Sequence, residues 1–124
     1  MSKKKGKNGP KIKEGSIEAV ILRFLNILPD TFAWKNDSVG IYDSKRGVYR
    51  KKKKEHHING VSDIIGIHRG RFMAIEVKTK TGTASDDQKL FIARILKEGG
   101  IAGIARSVAD ARKILNEADT HGGI

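Results

Sequence analysis

The chain has 124 residues, 25 Lys and Arg against 14 Asp and Glu, a formal charge of +11, and no cysteine. The length fits one domain. The composition excludes disulfide scaffolds and Cys-ligated zinc, and no apolar run approaches a membrane span.

The charge is clustered. Residues 1–13 carry six lysines and no acid, and Lys45, Arg46, Arg50 and the run Lys51 to Lys54 form a second basic group. Residues 61–117 are close to balanced. Solubility alone would explain a dispersed excess. Basic appendages on a balanced core fit a protein that grips a polyanionic backbone, and nucleic acid is the expected partner.

Residues 1–13 form a Lys/Gly tail without periodicity, expected to be disordered without a partner. From Ser16, the expected N-cap, Ile17, Val20, Ile21, Phe24, Leu25 and Leu28 recur at helical spacing. Pro29 ends this helix. Phe32 to Val39 reads as irregular or extended. Val39 to Tyr42 and Gly47 to Arg50 read as short strands around an Asp-Ser-Lys-Arg turn, and Lys51 to Asn59 as an exposed basic loop. Ile64 to His68 and Phe72 to Lys78 are strands joined by a tight Arg69-Gly70 turn. After a polar loop, Ser85 opens a second helix with Gln88 in capping-box position. Gly99-Gly100 stops it. Ile101 to Ala105 is a short strand. Ser107 caps a last helix reaching about Glu117, and the Gly-rich end is expected to fray. The order is α-β-β-β-α-β-α, an α/β fold with a central mixed sheet flanked by helices.

The chemistry concentrates in the hairpin. If His68 faces Arg71, Asp63 lies directly opposite Glu76, with Cβ atoms about 4.5–5.5 Å apart. Alternation puts Lys78 on the face of Glu76, and a one-residue slip would destroy the convergence. Neighbouring carboxylates on a core strand pair repel, and a cation between them removes that cost. Mg²⁺ suits one or two carboxylates plus water and phosphate oxygens. The blander reading makes Asp63 a turn residue and Glu76 and Lys78 edge-strand charges. The triplet on a basic protein favours a metal site for phosphodiester hydrolysis, with Lys78 orienting water and offsetting transition-state charge.

Gly60-Val61-Ser62-Asp63 followed by Ile75-Glu76-Val77-Lys78 is similar to the PD-(D/E)XK nuclease signature, with Ser62 in the proline place. Together with Trp34-Lys35-Asn36, Gln88-Lys89-Leu90-Phe91 and Gly100 to Ser107, it resembles a VRR-NUC domain over roughly residues 16–115. The resemblance implies a restriction-endonuclease-like core over residues 14–118, between the basic tail and a flexible end at 119–124. It implies Asp63, Glu76 and the Val77 carbonyl as metal ligands and Lys78 as the catalytic lysine. Glu18 would reach the metal through water, and Gln88 would stand near the active site. The plainer alternatives for these two are helix-dipole and capping roles.

The resemblance further implies a Mg²⁺-dependent endonuclease, with Mn²⁺ as a substitute. It would be a homodimer of the stand-alone, phage-associated kind that resolves four-way DNA junctions. The alternatives are a flap- or sequence-directed nuclease, or a non-catalytic DNA binder on a nuclease fold. Lys35, Lys45, Arg46, Arg50, Lys51, Lys52, Lys53, Lys54 and Lys80 are the candidate DNA contacts. Lys35 and Trp34 read equally as a surface and a core residue or as residues that meet DNA. His56-His57 face DNA or solvent, and His68 and His121 carry no signal. No membrane partner is expected, and the cytoplasm of a bacterial or phage-infected cell fits the lack of cysteine.

Overall fold

The computed structural model of the chain describes residues 13–37, 41–50 and 57–121. Helix α1 (Glu14–Ile27) is followed by strand β1 (Thr31–Lys35) and the pair β2 (Ile41–Asp43) and β3 (Val48–Arg50). Then come β4 (Ile64–His68), β5 (Arg71–Val77), α2 (Asp86–Lys97), β6 (Ile101–Ala105) and α3 (Val108–His121). The main sheet has the order β1-β4-β5-β6, and β2-β3 is a separate two-stranded ribbon. β1–β4 and β4–β5 are antiparallel, whereas β5–β6 is parallel. A parallel pair needs a crossover, which α2 supplies. The main sheet and its helices give the expected α-β-β-β-α-β-α order.

Strand alternation divides the core between two faces. Ile64, Met73, Ile75 and Val77 pack against Ile21 and Leu25 of α1 and Ala111 and Leu115 of α3. Ile65, Ala74 and Ala102 lie on the opposite face, against Phe91, Ile92 and Ile95 of α2. β5 is therefore central, with strands on both sides and helices above and below.

Several boundaries differ from the sequence reading. α1 starts at Glu14, and extended Lys13, not Ser16, takes the N-cap position without a side-chain cap bond. Ser16 lies in the first turn, its N–H bonded to the Lys13 carbonyl at 3.0 Å. Glu14 in that turn complements the helix dipole and supports the earlier start. Thr31–Lys35, expected as irregular or extended, is an edge strand whose pattern is inverted: small Ala33 is buried while Phe32 and Trp34 face outward. Such a strand hides from a search for buried large residues. β2 is described from Ile41, and its expected start at Val39 lies outside the described residues. α3 runs to His121, beyond both the expected helix end and the domain boundary at 118. The tail at 1–12, residues 38–40, most of the basic loop (51–56) and 122–124 lie outside the described residues. Ser107 does cap α3, accepting the Asp110 N–H at 3.1 Å.

Candidate active site

The β4–β5 hairpin closes as its sequence requires. Arg69 (φ 51°) and Gly70 (φ 79°) are both left-handed, the pair of conformations that defines the type I′ turn matching strand twist. The turn fixes the register from His68↔Arg71 to Ile64↔Ile75. One step further, Asp63 stands across from Glu76. Asp63 Oδ2 accepts the Val77 N–H at 2.9 Å, tying the carboxylate to the neighbouring strand. In an antiparallel ladder a residue's N–H and C=O point to the same neighbour, so the Val77 carbonyl leaves β5 on the Asp63 side.

Glu76 is the unusual residue. Its side chain is 1% exposed in the middle of the sheet. Oε2 accepts from Gln88 Nε2 at 2.9 Å and lies 3.5 Å from Lys78 Nζ. Oε1 is buried with no hydrogen-bond partner. Burial, then the neighbouring charge of Asp63, pushes the Glu76 pKa up to about 8, against the opposing pull of Lys78. An ionised carboxylate with an orphaned buried oxygen is costly. Its oxygen chemistry fits a hard divalent cation, with Asp63 and the Val77 carbonyl beside it.

α1 closes the other side. Glu18 Oε1 lies 3.6 Å from Lys35 Nζ. Burial raises the Glu18 pKa, Lys35 opposes this, and the charge of Asp63 raises it further. Glu18 thus feels the same negative charge as Glu76. Among the described residues no three His, Asp or Glu side chains are grouped to hold an ion directly. A direct site would consist of two carboxylates and a carbonyl, with Glu18 acting through water.

A match to the family model for the VRR-NUC domain covers residues 12–109. The chain belongs to the VRR-NUC domain family. A solved structure described as a VRR_NUC domain protein superimposes with a TM-score of 0.62 at 18% identity, covering 90% of this chain and 91% of that one. At that identity the likeness supports the fold alone. No curated protein matches the sequence. The family makes this a nuclease-type domain.

Within the VRR-NUC domain, Gln88 has two roles. Its Oε1 accepts the Ser85 N–H at 2.8 Å, while its own N–H donates to Ser85 Oγ at 3.2 Å, completing a capping box. Its Nε2 meanwhile holds Glu76. The structural and functional readings of Gln88 hold together in one side chain. Gly60 allows this approach: it has φ +77°, and a Cβ there would overlap the Asp87 backbone and stand 2.7 Å from the Gln88 nitrogen. On the other flank the Asn36 N–H donates to the Asp63 carbonyl at 2.7 Å. A groove of about 570 Å³ runs from Asp63 past Gln88, with Asn36, Asp37, Asn59 and Asp87 along it. Its acids make it unwelcoming to a polyanion unless a cation is present.

Arg106 was not foreseen. Its Nη1 donates to the Thr79 and Gly82 carbonyls, both at 2.6 Å, and so fastens the loop between Lys78 and α2. Only its place within the Gly100–Ser107 stretch marked it in the sequence. His68 also had no sequence signal, yet it is buried, with Nδ1 2.7 Å from Thr31 Oγ1 and Nε2 3.0 Å from Asp119 Oδ1. It joins β1, β4 and α3 away from the carboxylates.

The proposed DNA contacts fare unevenly. Lys35 reaches the site through Glu18 and keeps 65% of its side chain exposed. Lys80 is exposed two residues after Lys78, and Lys45 and Arg46 are exposed in the β2–β3 turn. Arg50 lies on β3. Lys51, Lys52, Lys53, Lys54 and His56 fall outside the described residues, while His57 borders the groove. Trp34 is 43% exposed and is not a core residue.

Proposed function

We propose that this VRR-NUC domain is a Mg²⁺-dependent endonuclease that hydrolyses DNA phosphodiesters, resolving four-way junctions as a homodimer, with Mn²⁺ able to replace Mg²⁺. The observation that carries the chemistry is the buried Glu76 carboxylate beside Asp63, with Oε1 unpartnered and Oε2 3.5 Å from Lys78 Nζ. Asp63, Glu76 and the Val77 carbonyl would hold the ion, and Glu18 would add an acid at one remove. Such a cation, when bound, supplies Lewis-acid polarisation of the scissile phosphodiester and activation of water.

The chain's own side chains do the remaining work. Lys78, 14% exposed, is kept near Glu76 and presents an ammonium where negative charge develops at phosphorus. Gln88 fixes the rotamer of Glu76 from the start of α2. Lys35 and Lys80, with the basic loop and tail, would grip the backbone and release counterions. Paired incision across a junction is met most simply by two-fold symmetry, which supports the dimer reading. No helix among the described residues is long and apolar enough to cross a membrane. A reducing cytoplasm, bacterial or phage-infected, suits the cysteine-free chain.

The test is a panel of labelled four-way junction, flap and linear duplex, each with Mg²⁺, Mn²⁺ or chelator. Symmetrical metal-dependent incision of the junction is expected. Preferential flap or sequence-specific duplex cleavage would replace the junction assignment, and binding without metal-dependent cleavage of any substrate would overturn the enzyme reading.

A further inference from the structure

Among the described residues, α2 covers only half of the face of the main sheet on which it lies. α2 packs over Ile65, Ala74 and Ala102. Beside it the register places Phe32 opposite Ile67 and Ile67 opposite Phe72, so that three strands contribute one apolar row. Trp34 continues it on β1, its ring centroid 5.3 Å from that of Phe32. Phe32 is 64% exposed, Ile67 45%, Trp34 43% and Phe72 43%. Every position on this face of β1, β4 and β5 from Phe32 to Ala74 is apolar, up to the row where Asp63 and Glu76 begin.

We propose that this bare sheet face is where a second copy of the chain docks. The proposal rests on the homodimer reading above and gives it a surface. Two arguments select the occupant. The first is charge. Each copy carries +11, so two copies meet most favourably where no charge is brought together, and the row of Phe32, Trp34, Ile67 and Phe72 holds none. DNA, by contrast, calls for Lys and Arg at its contacts, and the row offers none. The second is area. With aromatic side chains of about 150–250 Å², the four exposed residues present on the order of 400 Å² of apolar surface. A standard interface takes about 800 Å² from each partner, a little over half of it apolar. The row therefore supplies most of the apolar centre such a dimer needs. Asp63 and Glu76 lie at the end of the same face, so a two-fold contact here would set both active sites along one border of the interface.

The chain has one tryptophan, and Trp34 is in the row, so the intact protein reports on its own association. Sedimentation equilibrium of the full chain, with acrylamide quenching of Trp34 across the same concentrations, should show a dimer in which quenching falls about twofold or more as the half-exposed ring is covered. Ile67→Lys and Phe32→Ser should weaken association at least about 30-fold, the loss expected at a buried interface centre, while circular dichroism stays that of the wild type. A wild-type chain that stays monomeric would overturn both the dimer reading and this surface. A wild-type dimer with Trp34 still fully quenched, or with the variants still dimeric, would overturn the surface alone. Variants that lose single-stranded DNA affinity while remaining dimeric would assign the row to nucleic acid instead. Because quenching needs no substitution, the surface is tested even if a variant fails to fold.

Discussion

Glu76→Gln separates the chemical demand on this residue from the structural one. The pKa of Glu76 rises from an ordinary 4.5 to about 8 without metal, chiefly through burial and then through Asp63. Each pH unit is worth about 1.4 kcal/mol, so full ionisation of this carboxylate costs the fold on the order of 5 kcal/mol. Between these two values the folded chain holds the proton more tightly than the unfolded chain. This contribution to stability is complete below pH 4.5 and is lost as the pH climbs through about 8. Glutamine keeps the shape and cannot ionise, and burying its amide costs about 1–3 kcal/mol. The expected net gain for Glu76→Gln in chelator at about pH 8.5 is about 2–4 kcal/mol, or roughly 10 °C in Tm. The gain should vanish or reverse near pH 5, where the native acid is already neutral. Mg²⁺ at the higher pH should raise the wild-type Tm and leave the variant unmoved, and the variant should not cut DNA. Thermal unfolding followed by circular dichroism reads all of this. A Glu76→Gln protein that melts at or below wild type at the higher pH in chelator would refute the idea that the metal-free fold carries an ionised, uncompensated carboxylate.

Lys78→Ala should lower cleavage by about 100-fold or more with DNA affinity nearly unchanged, since the ammonium is assigned to transition-state charge and not to grip; single-turnover rates beside binding isotherms measure both. Ser85→Ala should cost about 1 kcal/mol through loss of the cap, whereas Gln88→Ala should cost that and also slow cleavage, and equal kinetic effects would remove the Glu76 contact from the account. Gly60→Ala should destabilise the fold by more than about 1 kcal/mol, because its φ is positive and a Cβ would strike α2; urea titration reads the loss. Binding to junction DNA should fall steeply with salt, and a flat dependence would exclude the basic loop and tail as backbone contacts.

The hairpin was legible because its geometry is local. A two-residue turn sets register, register sets which side chains face each other, and Asp63, Glu76 and Lys78 follow. The capping box at Ser85 and Gln88 was legible for the same reason. That Gln88 also reaches Glu76 depends on where α2 sits across β5, so only the family resemblance pointed to it. β1 escaped recognition because its aromatics face outward and its alanine inward, the reverse of an ordinary half-buried strand. The start of α1 was misplaced because Ser16 offers a good cap that the chain does not use. That Lys35 meets Glu18 depends on where α1 lies beside β1, which no neighbouring residue in the sequence states. The side chains of His68 and Arg106 bind partners 24 to 51 residues away, and nothing adjacent in sequence announces such bonds.

Arg106 sits outside the chemistry, yet it anchors the segment that separates the lysine from the glutamine. By holding the Thr79 and Gly82 carbonyls it sets how far apart Lys78 and α2 can drift. A defect there would leave every reacting group present but poorly spaced. A survey of activity across the chain should therefore find a sensitive position on the β6–α3 connection, remote from both ion and phosphate, and its fault would be one of alignment.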